Sequence, residues 1–473
     1  MLHRSIQIHV APDYLLPAAV DLLLPASFAA QQGIGTHPIH LSFGSATVKV
    51  SFQVSPTARE MKMKESIARL LSLPLYYTRY DTRFHAAERT LEFRPILGIL
   101  VYKRHTESSA PFGNITDFCH EIIETCKAKG GAAFVFTLDE IKEQSDSIQG
   151  WTYTNQEWVQ KTFPLPACVY NRIGSRGTEK REETQLKIAW LKTKNVLFFN
   201  EKFLDKWQIH QQLAHSSQMA PFLPYTELYN GAASLQLFLQ KHPYTYVKPS
   251  SGSLGRGIIR ITKTAGGYTC EYPTLNGNIT KRFNSFSDLF QVVRSRIGKR
   301  AYVMQQGLHL IKNQGGMVDF RILVQKNQRG EWGITSAVGR SGTYRSIVSN
   351  VAQGGTMLSL AKTLALSFPP NHPGSQAAPA LRRHSITIAR IFEQSVSGHY
   401  AELGIDLGVD RSGKVWLLEI NSKPSKTNDS LASVSKGPRR SVVCLVDYCF
   451  YQSGFPKEIK KKAHTTRRPR RRR

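Results

Sequence analysis

The chain is short of acid. Its 473 residues carry 34 Asp and Glu against 63 Lys and Arg, a formal net charge of +29, and other scarcities narrow its class further. No apolar run approaches the roughly 20 residues that a membrane-spanning helix needs. The most apolar stretch near the start, Leu15 to Ala30, is broken by Pro17, Asp21 and Pro25, so it reads as part of a folded unit and not as an export signal. The six cysteines, Cys119, Cys126, Cys168, Cys270, Cys444 and Cys449, form no C-x-x-C pair and no zinc spacing, which fits the reduced thiols of a cytoplasmic protein. Neither H-E-x-x-H nor Gly-x-Ser-x-Gly occurs, so zinc-protease and serine-hydrolase chemistry has no visible seat. The 15 histidines then read as core or surface residues.

What is present belongs to an ordinary folded chain, 41% hydrophobic and 10% aromatic, long enough for about three domains. The charge is uneven. Residues 456–473 hold ten Lys or Arg and a single acid, Glu458, which puts +9 in the tail and +20 in the body. Two readings of that excess stay open: a solvated, disordered tail on a basic protein, or a surface for a polyanion such as a nucleotide, a nucleic acid or an acidic polymer.

Residues 1–90 read as a β-rich domain, with short β-branched runs at Ser5 to Val10, Pro38 to Phe43 and Ala46 to Val54. Asp21-Leu-Leu-Leu-Pro25 and Leu70-Leu-Ser-Leu-Pro74 hint at a duplication. Residues 91–195 change grain: Ile96 to Val101 is a compact apolar strand, Ile115 to Lys129 has helical spacing, and Ala132 to Phe136 is apolar again. That β-α-β pattern predicts parallel strands. Leu165 to Arg172 adds a strand that ends in polar residues, and Glu179 to Lys192 a polar helix. Residues 196–452 form a third unit, with a helix from Lys206 to about Gln218, a strand at Tyr244 to Lys248, another at Ile258 to Thr262, others at Tyr302 and Asp319, and a helix at Ala380 to Val396. Residues 453–473 are expected to be the disordered basic tail.

The chemistry concentrates near the end of that third unit. Leu403 to Val409 and Val415 to Ile420 flank the turn former Asp410-Arg-Ser-Gly413, a β-hairpin signature. With its tip between Ser412 and Gly413, Asp406 faces Glu419, and Asn421 shares the face of Glu419 two residues on. Two carboxylates about 4 Å apart repel by about 4 kcal/mol at an effective dielectric near 20, so the arrangement calls for a cation. Hard oxygen donors favour Mg²⁺. A second element is the loop Ser250-Ser-Gly252-Ser253-Leu-Gly255-Arg-Gly257, which follows a strand bearing Lys248 and leads into another strand. It matches neither the dinucleotide nor the phosphate-loop spacing. Its glycines let backbone amides approach an anion, which makes it either a phosphate cover or an ordinary hairpin turn.

Together, Lys206 before a helix, Lys248-Pro before the glycine loop, Asp319-x-Arg321, Asn350 with Gly354-Gly355, and Asp406 with Glu419-x-Asn421 resemble the ATP-grasp superfamily in order and spacing. Arg94-Pro-Ile-Leu-Gly-Ile, Pro166-x-x-Val-Tyr-Asn-Arg, Gln305-Gln-Gly-Leu and Asp319-x-Arg-Ile-Leu-Val-Gln resemble more narrowly the YheC/YheD family of endospore-coat-associated proteins. The resemblance implies an α/β fold of α+β lobes: an ATP-grasp fold preceded by a Rossmann-like pre-ATP-grasp domain and an N-terminal β-rich domain. It also implies a spore-forming source, a cytoplasmic protein associated with the spore coat, and ATP and Mg²⁺ as cofactors. Lys206 and Lys248 would contact the ATP phosphates under the loop Ser250, Gly252, Ser253, Gly255 and Gly257. Gln305, Gln306 and Leu308 would form the adenine hinge, Arg321 and Arg340 would face the transferred phosphate, and Asp406, Glu419 and Asn421 would hold Mg²⁺. Lys202 competes with Lys206 for its place; the Asp-Lys-Trp context favours Lys206. The hinge departs from the family pattern in lacking an acid for the ribose, since Gln305 and Gln306 are neutral. The implied activity is a carboxylate–amine ligase acting through an acylphosphate, on an unknown carboxylate and amine, with an anionic peptide among the candidates. The alternative is a coat-assembly or polyanion-binding protein that keeps the fold without turnover.

Overall fold

The computed structural model describes residues 3–73, 78–106, 109–252, 255–274, 277–343, 355–426 and 437–455. Ser253, Asn350, Gly354 and the tail from residue 456 lie outside them. Among the described residues four sheets follow one another: an eight-stranded sheet built between Arg4 and Phe93, then three six-stranded sheets.

In the first sheet the expected strand Ala46 to Val54 divides. Ala46–Val50 pairs antiparallel with Ile39–Phe43, while Phe52–Ser55 pairs parallel with Leu22–Pro25. The break falls at Ser51, whose amide donates to the Asp21 carboxylate at 2.9 Å and whose carbonyl accepts from the amides of Asp21 and Leu22. Ser51 is thereby turned from the Ile39–Phe43 partner toward the Leu22–Pro25 strand. The two Leu-rich strings are not equivalent either: Leu22–Pro25 is a strand, whereas Leu70 closes the helix Glu65–Leu70. Near the other end of the chain, Phe455 is packed, not loose, with the Arg83 guanidinium 4.6 Å from its ring centre.

The second sheet supplies the β-α-β unit: strand β1 (Ile96–Val101), helix α1 (Thr116–Ala128) and strand β2 (Ala132–Phe136). Strand β3 (Cys168–Arg172) lies on the other side of β1, and both neighbours run parallel to it. Every residue of β1 is buried, as expected of a central strand covered on both faces. Gly98 is needed there, because a Cβ would come within 2.8 Å of the Phe136 ring.

Helix α2 (Lys206–Ala214) begins where Asp205 accepts from the amides of Trp207 and Gln208, and ends four residues short of the expected Gln218. The third sheet contains β4 (Tyr244–Pro249), β5 (Ile259–Thr264) and β6 (Tyr302–Gln306), all antiparallel, with β4 between the other two. The fourth is built on β7 (Gly316–Lys326), flanked by β8 (Trp332–Ser341) and β9 (Glu402–Val409), with β10 (Val415–Asn421) beyond β9. Helix α3 (Ala378–Ser395) buries Leu381, Ile388 and Phe392 with Phe320, Ile322 and Val324 of β7.

A buried polar cluster ties the second sheet to the fourth. Glu402 of β9 accepts from the Tyr170 hydroxyl of β3 at 2.7 Å and from Gln325 Nε2 of β7 at 2.7 Å, and pairs with Lys426. The Asn200 side chain accepts from the amides of Ala401 and Glu402 and donates to the Glu402 carbonyl at 2.9 Å. Polar groups this well satisfied fix one geometry, which holds β3 in a defined position against β9.

Candidate functional site

Register alone gathers the fourth sheet's charged residues. Asp319 pairs across to Arg340 on β8, Arg321 to Asp406 on β9, Asp406 to Glu419 on β10, and Gly404 to Asn421. Directly paired residues share a face, as do residues two apart on one strand. Six polar side chains therefore stand on one side of the sheet while Phe320 and Ile322 point into the core on the other.

The hairpin reaches this register through a β-bulge. From Val409 opposite Val415 to Leu407 opposite Leu417 the pairing is regular and would bring Leu418 opposite Asp406; a shift after Leu407 brings Glu419 there instead. The tip is accordingly centred on Ser412, not between Ser412 and Gly413. Bulges re-aim side chains in this way beside functional sites. Here the bulge puts both carboxylates on one face and turns Leu418 into the cavity lining.

The charged face forms one wall of a cavity of about 910 Å³. Arg321 Nη2 donates to Asp406 at 2.8 Å; Arg340 holds Asp319 through Nε and Nη2, both at 2.6 Å, and reaches Asp406 at 3.3 Å. Burial alone would raise the Asp406 pKa; the two guanidinium groups outweigh it and hold the carboxyl below the usual range. Lys206 Nζ lies 3.2 Å from Glu419 and donates to the Gly252 carbonyl at 2.9 Å. Lys248 Nζ donates to Gln305 Oε1 at 2.6 Å. Burial, with Lys206 adding to it and Glu419 opposing, lowers the Lys248 pKa to about 8.

Of the sequence-level candidates, Lys206, Lys248, Gly252, Gly255, Gln305, Gln306, Leu308, Arg321, Arg340, Asp406, Glu419 and Asn421 all line this cavity, whereas Lys202 is exposed and does not. Ser250 is turned away, its hydroxyl donating to Asp205 at 2.6 Å, so it clips the start of α2. Gly257 is not on the lining; a Cβ there would meet the Tyr302 hydroxyl at 2.9 Å. Asp406, Glu419 and Asn421 offer two carboxylates and an amide oxygen on adjacent strands, a hard donor set suited to Mg²⁺ with phosphate oxygens and water completing the shell. Among the described residues no group of three or more His, Cys, Asp or Glu could hold a metal by itself.

Residues 195–451 match the family described as YheC/D like ATP-grasp. The chain belongs to that family. Two curated proteins of Bacillus subtilis (strain 168) are similar to this ATP-grasp chain: endospore coat-associated protein YheD, 29% identical over 421 residues, covering 86% of this chain and 88% of that protein, and endospore coat-associated protein YheC, 23% identical over 342 residues, covering 71% and 92%. Among solved structures, the D-cycloserine synthetase DcsG is 13% identical and covers 75% of this chain and 99% of its own, at a TM-score of 0.44.

The ATP-grasp cavity also has a wall that sequence reasoning did not assign. Lys103 and Gly113 to Ile115 follow β1, Arg172 closes β3 with Ile173, Gly174 and Arg176 after it, and Lys423 to Lys426 follow β10. The one available signal was the Val-Tyr-Asn-Arg end of the third strand, because clefts in parallel sheets open at strand carboxyl ends. Tyr246, Met317 and Leu418, among the apolar side chains of the lining, carried no signal in sequence.

Proposed function

We propose that the chain is a Mg-ATP-dependent carboxylate–amine ligase acting through an acylphosphate. The observation that carries this reading is the convergence of Arg321, Arg340, Lys206 and Lys248 with Asp406, Glu419 and Asn421 on one cavity. Mg-ATP, when bound, would supply the phosphoryl group and part of the charge neutralisation. The chain's own residues would position and neutralise: Lys206 and Lys248 hold phosphate oxygens, Asp406, Glu419 and Asn421 hold the metal, and Arg321 and Arg340 stabilise charge on the phosphoryl group in transfer. A substrate carboxylate oxygen attacks the γ-phosphorus and ADP leaves. An amine nitrogen then attacks the acyl carbon, the C–O bond to phosphate breaks, and the nitrogen loses a proton to give an amide. The segment around Gly252 and Gly255 would cover the phosphates and keep water from the acylphosphate.

The test is release of ADP and phosphate that requires both a carboxylate and an amine, screened over amino acids and peptides. Turnover should vanish in Glu419→Gln and in Lys248→Ala; full turnover in both would sink the reading.

A second reading is favoured by the net charge of +29: a coat-assembly or polyanion-binding protein that keeps the fold without turnover, and whose relatives are named for the spore coat. Binding of an acidic polymer should then weaken steeply with salt and with removal of residues 456–473, and salt-insensitive binding would count against it. Under either reading the chain would be cytoplasmic and coat-associated in a spore former.

A further inference from the structure

Positive charge is spread unevenly over the body of the chain. Residues 91–195 hold 14 Lys or Arg against 13 Asp or Glu, whereas residues 226–306, which build the third sheet and its helices, hold eleven against three. Those three acids are already engaged: Glu271 pairs with Arg260 at 2.6 Å, Asp288 accepts from the Ser285 hydroxyl at 2.8 Å, and Glu227 accepts from the Tyr225 hydroxyl.

The surplus gathers on one flank. The helix Phe286–Ile297 buries Leu289, Val293 and Ile297 with Val247, Ile259 and Ile261. It covers the face of β4 opposite to Lys248 and the cavity, since neighbouring residues of a strand point to opposite faces. Its last turn and the residues after it carry Arg294, Arg296, Lys299 and Arg300. A helix carboxyl end favours cations, which accounts for the first two but not for the pair beyond it. Contacts join this group to both sides. The Arg296 guanidinium lies 3.3 Å from the centre of the Tyr272 ring, and Tyr272 pairs in register with Ile279, two residues from exposed Lys281 on the strand Gly277–Phe283. In the other direction, Arg300 Nη2 donates to the Arg296 carbonyl at 3.4 Å and to the Tyr302 hydroxyl at 3.2 Å. The same nitrogen would lie 3.8 Å from a Cβ on Gly257, next to exposed Arg256 of the cavity lining. A cationic ridge therefore runs from the cavity mouth at Arg256 along the outer flank to Lys281.

Two features select its partner. Gly277–Phe283 is the last strand of its sheet, with no strand beyond it among the described residues, and every residue from Gly277 to Arg282 is exposed. An edge of this kind can take up an extended polypeptide as a further strand, which a nucleic acid cannot supply. Lys281 and Arg282 on it repel a second copy of this cationic chain and attract an acidic one. Tyr272 and Tyr302, the rings that Arg296 and Arg300 touch, are buried, so bases have no ring there to stack on.

We propose that the ridge is a docking surface for an acidic polypeptide, which lies along Gly277–Phe283 and reaches the cavity mouth past Arg256. That the docked polypeptide also presents a carboxylate to the cavity rests on the ligase reading.

Fluorescence anisotropy of labelled dodecaglutamate with the full chain tests this, beside an uncharged Gly-Ser peptide and a dodecathymidylate of equal length. The ridge variant combines Lys281→Glu, Arg294→Glu and Lys299→Glu, all at exposed positions. The control combines Arg382→Glu, Arg383→Glu and Arg390→Glu, exposed on α3, and changes the net charge equally. The basic tail is present in both, so it cannot account for a difference. Dodecaglutamate should bind wild type in a salt-dependent way and the Gly-Ser peptide should not. The ridge variant should weaken it at least about tenfold, the sum of three surface charge contacts, the control less than about threefold, and both should keep the calorimetric affinity for Mg-ADP. Equal weakening in the two variants, no weakening in either, or no binding to wild type would overturn the proposal and leave the ligase reading untouched. Tighter binding of dodecathymidylate, lost in the same ridge variant, would overturn it in favour of a nucleic acid. If dodecaglutamate depends on the ridge while wild type fails to bind Mg-ADP, the ligase reading falls and the docking surface stands.

Discussion

Glu419→Gln separates the site from the fold. In the protein without ligand, Glu419 is about a quarter exposed and its partner Lys206 is 3.2 Å away and 21% exposed. The gross attraction at that distance is about 5 kcal/mol at an effective dielectric near 20, but desolvation and side-chain ordering leave about 1 kcal/mol or less for pairs this exposed. Exchange for a neutral isostere should therefore barely change unfolding in the absence of ligand. With Mg²⁺ and ATP the expectation reverses. Ligand at 100 times its dissociation constant stabilises by about 2.7 kcal/mol, which is a rise in melting temperature of about 5 °C for a cooperative unit of about 250 residues. That rise should require Mg²⁺ in wild type and be absent in Glu419→Gln, because the donor set keeps only one carboxylate. The assay is a thermal shift with Mg²⁺ alone, ATP alone and both together. A Mg-dependent rise of equal size in the variant would refute the metal assignment. A loss of several kcal/mol in the variant without ligand would refute the claim that this pair is structurally dispensable.

Asp406→Asn should behave in the opposite way and destabilise the ligand-free protein by about 3–5 kcal/mol in urea unfolding, because it leaves Arg321 and Arg340 buried beside a neutral group; a cost under 1 kcal/mol would contradict it. Gly404→Ala should cost about 1–3 kcal/mol, since Pro424 lies 2.9 Å from the new Cβ and its ring cannot swing aside, and unchanged unfolding would mean that Pro424 is not held where it stands. His399 is held below the usual histidine range by burial and then by Lys326, against Glu201 and Glu393, with Tyr448 hydrogen-bonded to its Nε2. The unfolded chain then binds the proton first, so wild type should lose stability as pH falls below about 6.5; its advantage over His399→Gln should shrink between pH 7.5 and 5.5, and a constant difference would contradict the shift.

The parts of the fold legible in sequence are those where one local rule acts alone. Ile96 to Val101 is apolar throughout and flanked by turn signals, and it is a fully buried central strand. Thr116–Ala128 repeats its apolar residues at helical spacing before a Gly-Gly stop, and it is a helix. Where a distant group decides, local pattern fails. Nothing between Ala46 and Val54 announces a break, because the residue that breaks the strand is Asp21, about 30 positions earlier in the chain. The two Leu-rich strings look alike because both satisfy an apolar environment, which a strand and a helix end supply equally well.

The site divides along the same line. Asp406, Glu419 and Asn421 could be placed on one face from a period of two and a turn, yet regular pairing back from the tip gives the wrong neighbour, and only the bulge at Leu418 makes the conclusion correct. Such a bulge depends on packing from outside the hairpin as well as on its own glycine: a Cβ on Gly408 would meet Leu310, nearly 100 residues earlier, at 2.7 Å and the bulged Leu418 at 3.3 Å. The placement of Arg172 was harder still: at the end of an apolar strand an arginine is the ordinary transition to solvent, and what sets this one on the cavity lining is the clamp of Tyr170 on Glu402 together with its own bond to the Pro424 carbonyl, partners about 230 and 250 residues away in the chain.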